Sequence, residues 1–224
     1  MFVAIDTVQG LAVTGIDVDT RAEDVAAQRA TDRLDRTSKS RATRFRCVCC
    51  NAPLQYTGLS AHSPIECFTH DRSGCIRDGN MSIEHRLGQE MIAKALFNLL
   101  PTDRTATRID LERRIGTNSD FVIADVRVTK PIQLAVEVVY LSPALNLRQR
   151  LRTLFAQGYA GMIIILPTGE LSTSRIEQHL GKVGTIDVGR FDPRTLELEF
   201  GSVLIPDRID LETQVWNSIP AYLS

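Results

Sequence analysis

The 224-residue chain has no apolar stretch long enough to cross a bilayer. No uninterrupted apolar run is longer than Met162 to Leu166, which is strand-length, against the roughly 18 residues a membrane helix needs. The opening Met1-Phe2-Val3-Ala4-Ile5-Asp6 has neither a basic leader nor a long apolar segment, so no signal peptide is expected and the protein is placed in the cytoplasm, away from membranes. No charge of either sign dominates: 26 Lys and Arg against 27 Asp and Glu leave a net charge of −1, which gives no general affinity for polyanions. Internal repeats and low-complexity tracts are absent too. Hydrophobic residues make up 43% and charged residues 24%, ordinary values for a globular chain.

Two local enrichments stand against that even background. Between residues 36 and 46 lie Arg36, Lys39, Arg41, Arg44 and Arg46 with no acid among them. Such a run is either a solvated connector or a segment that lies along phosphates. All five cysteines fall between Cys47 and Cys75. In a reducing compartment such clustering points to metal rather than to disulfides. Cys47 and Cys50 form a C-x-x-C pair, and Cys67 with His70 forms a C-x-x-H pair after sixteen intervening residues. Two tight turns, each offering two ligands, can complete a tetrahedron around Zn²⁺, and the ion would supply folding free energy to a segment with few large apolar residues. Cys75 competes with His70 for the fourth position, and Cys49 and His62 are further candidates. Asn51-Ala52-Pro53 reads as the turn that follows the first knuckle.

Around this segment the chain divides into an N-terminal part (1–44), a zinc-binding module (45–78), an α/β domain (79–170) and a C-terminal extension (171–224). The first part predicts a hairpin with its turn near Gln9-Gly10, a further strand candidate at Ile16–Val18, and a helix from Arg21 to Leu34 capped by Thr20. In the α/β domain, Ser82 or Asn80 caps an amphipathic helix over Ile83–Leu100, with Glu84 and His85 in its first turn. Two β-type runs follow, Phe121–Val128 and Ile132–Tyr140, around Thr129-Lys130-Pro131. A hairpin centred on Lys130 sets Asp125 opposite Ala135 and makes Asp125 and Glu137 diagonal neighbours, about 7–8 Å apart at the backbone. Both acids lie in otherwise apolar strands, where burial without a partner is costly, so together they suggest a divalent cation. A helix over Leu145–Tyr159 would turn Arg148, Arg150 and Arg152 toward solvent or substrate. Met162–Leu166 then reads as a buried parallel strand that completes a right-handed crossover. Short strands are expected at Leu196–Phe200 and Val203–Ile205.

The order of these motifs resembles the competence protein CoiA-like family: C-x-x-C, Phe68-Thr69-His70, Ser82-Ile83-Glu84-His85, Ala124-Asp125-Val126, Ala135-Val136-Glu137, then the Arg-rich helix and Gly158-Tyr159-Ala160-Gly161. The likeness spans about residues 2–166. It implies a zinc-finger-like part followed by a restriction-endonuclease-like αβββαβ core of the PD-(D/E)xK type. In that core Glu84, Asp125 and Glu137 would be the acids, with Mg²⁺ on Asp125 and Glu137 and His85 beside them. The implied activity is metal-dependent hydrolysis of DNA. Two residues after the second acid the fold normally has Lys or Gln; here Val139 stands there, with Gln149 on the next helix as the candidate replacement, and Gln89 occupies a position where Lys is frequent. The alternative is a zinc-stabilised binding or interaction module that keeps the fold without turnover.

Overall fold

In a computed structural model the chain is a mixed α/β protein with two sheets and, among the described residues, three helices. The described residues are 1–19, 44–48, 50–57, 68–69, 81–100, 107–117, 119–139, 147–167, 188–210 and 215–220. They belong to two compact units, Met1–Arg77 with Ala93–Thr105, and Asp78–Ile92 with Ala106–Ser224.

The first unit is built on an antiparallel sheet in the order β2-β1-β3-β4-β5, formed by β1 (Val3–Asp6), β2 (Leu11–Thr14), β3 (Phe45–Arg46), β4 (Pro53–Tyr56) and β5 (Phe68–Thr69). The expected hairpin is present, and Gly10, at φ 64°, supplies the left-handed residue of its turn. Ile16–Val18 is not a strand. Gly15–Asp19 forms a short helix, α1, because Thr14 and Asp17 make a reciprocal cap: Asp17 N–H donates to Thr14 Oγ1 at 3.2 Å, and Thr14 N–H donates to Asp17 Oδ2 at 2.6 Å. The edge strand β2 is blunted by Asn98, whose side-chain amide accepts from Ala12 N–H and donates to Ala12 O. Phe45, Tyr56 and Phe68 pack ring against ring at centroid separations of 5.2–6.1 Å. The expected helix over 21–34 lies outside the described residues.

The second unit runs helix, three strands, helix, strand: α2 (Ile83–Leu99), β6 (Arg108–Gly116), β7 (Phe121–Lys130), β8 (Leu134–Val139), α3 (Leu147–Ala156) and β9 (Ala160–Ile165). Residues of α2 to Ile92 belong to this unit. Ser82 caps the helix by accepting from His85 N–H at 3.2 Å. β6, β7 and β8 are antiparallel neighbours, and β8 and β9 are parallel, joined by α3 in the expected crossover. The C-terminal stretch extends the same sheet: β10 (Gly189–Asp192) runs parallel to β9, β11 (Glu197–Glu199) closes that edge, and β12 (Ser202–Asp210) pairs with β9 and with β13 (Val215–Pro220). The two helices cover opposite faces. A Cβ at Gly88 of α2 would lie 3.5 Å from Val138. The next residue, Val139, belongs to the core formed by Leu147, Leu151 and Leu154 of α3 with Ile163 and Ile165.

Within β6–β8 two features depart from the reading of the sequence, as do Ile16–Val18 in the first unit and the further strands β10 and β13 in the second. β6 was not anticipated as a strand. The β7–β8 hairpin is centred on Pro131 rather than Lys130, pairing Val126 with Val136 and Arg127 with Ala135. Proline cannot donate to a ladder and so takes the turn. Moving the centre by one residue shifts the register by two, which keeps every side chain's parity while changing its partner.

Gly189 sits where β10 presses on its neighbours: an added Cβ would lie 2.5 Å from Glu199 O and 2.8 Å from Gly201 N, and closer still to the Ile164 side chain. Backbone atoms cannot step aside as a flexible side chain does. Gly189→Ala is expected to cost about 1–3 kcal/mol, read as a lower urea midpoint at unchanged m. A midpoint equal to wild type would contradict this packing.

Candidate metal centre

The hairpin register decides what faces Asp125. Val126 pairs with Val136 on one side and with Leu111 on the other, so one further step along each ladder brings Asp125 level with Glu137 of β8 and with Glu112 of β6. Three carboxylates thus form a row across three adjacent strands. Neither ladder is regular at that row. Glu112 has φ 49°, a left-handed conformation that costs a non-glycine residue about 1 kcal/mol or more and is found preferentially at functional sites. Val122 and Ala124 belong to the core on the α3 side, whereas Val126 lies opposite Val136 on the other side. β7 therefore changes face at Asp125, and its carboxylate occupies the gap: Oδ2 accepts from Val138 N–H at 2.6 Å, replacing a ladder bond.

Helix α2 supplies the partners of the other oxygen. His85 and Gln89, one turn apart, both point at it: His85 Nε2 lies 3.0 Å from Asp125 Oδ1, and Gln89 Nε2 donates to the same oxygen at 3.1 Å. Gln89, only 1% exposed, also donates to Glu112 Oε1, so one neutral amide ties two acids together. Glu137 is held from the opposite face. Arg150 of α3 donates to Glu137 Oε2 through Nε at 2.8 Å and through a terminal nitrogen, which also donates to Ile123 O at 2.6 Å. Glu137 is 2% exposed, and its Oε1 is buried without a hydrogen-bond partner.

The electrostatics follow from that inventory. Three carboxylates share one fixed cation, Arg150, and one histidine. Burial pushes the Glu112 carboxyl up to about 7, and the Asp125 charge adds to the rise. Burial likewise raises Glu137 to about 8, with Asp125 again contributing and Arg150 opposing. For His85 burial works downward, but the hydrogen bond and negative charge of Asp125 prevail and raise it above its ordinary value. Burial is the larger cause of both carboxyl shifts, and in all three groups the Asp125 charge adds to the rise, which leaves the row with a deficit of positive charge.

One nitrogen of His85 and one carboxylate oxygen each from Glu112 and Asp125 lie within 4.8 Å of one another. Ligands about 2.0–2.2 Å from a shared ion stand about 3–4.3 Å apart, so a dication fits between them with small side-chain movements. The chemistry suits it as well, because two units of positive charge would offset the deficit. Of the residues singled out in the sequence, Asp125, Glu137 and His85 come together. Glu84, adjacent to His85 and about 100° further around the helix, is half-buried and outside the cluster. Gln149 is exposed; the residue of α3 that reaches the acids is its neighbour Arg150. Glu112 was missed. The signal was present in the alternation Ile109-Asp110-Leu111-Glu112, with Ile115-Gly116 beyond, but charged residues at most other positions hid the strand.

At the cysteine segment, Cys47 to Ala52 is a closed turn. Asn51 N–H donates to Cys47 O and Cys47 N–H donates to Ala52 O, each at 2.9 Å, with Asn51 at φ 56°. Cys47 is fully buried and Cys50 exposed. Cys67 and His70 lie outside the described residues, as do Cys49, Cys75 and His62.

No family model matches the chain, and neither does any curated protein or solved structure.

The raised carboxyl of Glu112 gives a signed pH dependence. Between its ordinary value of 4.5 and about 7, the folded protein keeps a proton that the unfolded chain has released. Stability therefore falls as pH rises through that window and levels off above it. Without added divalent cation, the melting temperature of wild type relative to Glu112→Gln should decline across that interval. Parallel pH profiles for the two proteins would refute the assignment.

Proposed function

We propose that the chain is a divalent-cation-dependent hydrolase of nucleic-acid phosphodiesters, with the cation held by Asp125, Glu112 and His85. The observation that carries this reading is the row of acids at a break in the sheet, short of positive charge and faced by a histidine. Supporting it is the αβββαβ order of the second unit, the order of the restriction-endonuclease-like cores that the CoiA-like resemblance implies. A cation here would supply Lewis-acid charge to a phosphodiester undergoing in-line displacement. The chain's own residues do the rest. Gln89 orients the carboxylates of Glu112 and Asp125. Glu137 Oε1, the buried oxygen without a partner, would accept the proton of an attacking water in the ionised form of a carboxyl raised to about 8. Arg150 provides, from α3, positive charge that Val139 does not.

DNA is the proposed substrate because the same strand exposes a surface suited to it. Phe121 and Ile123, 47% and 43% exposed, precede Asp125 on β7, and the Arg114 guanidinium lies 3.9 Å from the Phe121 ring centroid. Aromatic and cationic groups side by side are a stacking platform for unpaired bases. A second reading, a binding module without turnover, is favoured by one observation: Arg150 is bonded to Glu137 rather than open to a phosphate. Purified protein with labelled single-stranded and duplex DNA and either Mg²⁺ or Mn²⁺ separates the two. Cutting that Asp125→Asn lowers by roughly 100-fold or more supports the hydrolase, since the isosteric amide still accepts from Val138. DNA bound but uncut with both ions establishes the module.

We further propose that the first unit carries a structural Zn²⁺ on Cys47, Cys50, Cys67 and His70, supported by ligand spacing and by the closed turn that follows Cys47. Elemental analysis should find about one zinc per chain. Cys47→Ser should lose the metal and Cys75→Ser should retain it; loss on Cys75→Ser as well would exchange His70 for Cys75 as the fourth ligand, and a metal-free wild type would end the assignment.

A further inference from the structure

The cluster has a composition that discriminates between metals. Mg²⁺ prefers an all-oxygen octahedron and retains several waters, whereas imidazole nitrogen favours transition-metal dications. The hydrogen bonds also determine which atoms are available. Asp125 Oδ2 is committed to Val138 N–H, which leaves Oδ1, the oxygen facing His85 at 3.0 Å, with a further lone pair beside the one that accepts from Gln89 at 3.1 Å. Glu137 Oε2 is committed to Arg150, and no oxygen of Glu137 joins the group within 4.8 Å. Glu112 takes its place, carried there by the left-handed residue that β6 places level with Asp125. Glu137 is an independent pointer to a ligand: it is next in the row, 2% exposed, and its Oε1 has no hydrogen-bond partner. A water arriving with an ion would satisfy that oxygen without Glu137 leaving Arg150.

We propose that His85 Nε2, Glu112 and Asp125 Oδ1 bind a transition-metal dication of the Mn²⁺ class in preference to Mg²⁺, with Glu137 outside the ligand set. The inference concerns the centre on which the hydrolase reading rests, but it is a statement about binding, and its test does not use turnover. The full chain is titrated calorimetrically with Mn²⁺ and with Mg²⁺, and the Mn²⁺ complex is examined by electron spin-echo spectroscopy for coupling to a ¹⁴N nucleus. Mn²⁺ should bind tighter than Mg²⁺ by roughly tenfold or more. His85→Gln should abolish the nitrogen coupling and remove most of that difference while changing Mg²⁺ affinity by less than about threefold. Glu112→Gln should weaken both ions, and Glu137→Gln should leave Mn²⁺ affinity within about threefold of wild type.

Circular dichroism and melting curves show that each variant is folded; should Glu112→Gln not fold, the His85→Gln comparison decides alone. Equal affinity for the two ions, nitrogen coupling that survives His85→Gln, or loss of Mn²⁺ on Glu137→Gln but not on Glu112→Gln would each overturn the proposal. Mn²⁺ bound with the His85 signature by a protein that cuts no nucleic acid sustains it and ends the hydrolase reading. Cutting without that signature does the opposite.

Discussion

Three carboxylates in adjacent strands cannot all be ionised, largely buried and uncompensated. That constraint organises the second unit. Each acid meets it differently: Glu137 through the guanidinium of Arg150 and a carboxyl pushed up to about 8, Asp125 through a backbone amide, Gln89 and His85, and Glu112 by sharing Gln89 and by a carboxyl pushed up to about 7. The two flanking helices are tied to the row for this reason. α2 brings His85 and Gln89 to one face, and α3 brings Arg150 to the other. The remaining deficit of positive charge is what makes a cation site the natural reading.

The same unit contains a contrasting acid. Asp110, two residues before Glu112 and 3% exposed, is also buried in β6, but Arg127 donates to it at 2.6 Å and Arg108 and Arg113 lie within 4.0 Å. A buried acid surrounded by guanidinium groups is a structural element whose charge is fully matched. Comparing the two shows why burial alone does not mark the site. The difference lies in what remains unmatched: the orphan oxygen of Glu137 and the raised Glu112, whose own backbone is left-handed.

The break in the sheet is part of the same arrangement. A regular β7–β8 ladder would use Val138 N–H for a backbone bond and leave the Asp125 carboxylate to project from one face. Because β7 changes face there, the carboxylate enters the gap, spends one oxygen on the strand and presents the other to α2. Strain at Glu112 and the lost ladder bond are offset by the core around them, where Val126, Val128, Ala135 and Val136 are fully buried.

Much of this was legible in the order of residues. The caps and apolar periodicity located α2 and α3, the apolar run Met162–Leu166 marked the parallel strand, and acids inside apolar strands marked Asp125 and Glu137, because local propensity and the cost of burying charge act on neighbours in sequence. The partners were not legible. Whether Asp125 lies level with Ala135 or Glu137 depends on which residue centres a turn, and a two-residue slip leaves the hydrophobic pattern unchanged. Glu112 came to the site through strand pairing across a charged segment, and Arg150 rather than Gln149 through the face that α3 turns to the sheet. Composition and spacing determined which chemistry the chain could carry; register and helix packing, which act between residues far apart in sequence, decided which side chains meet to carry it.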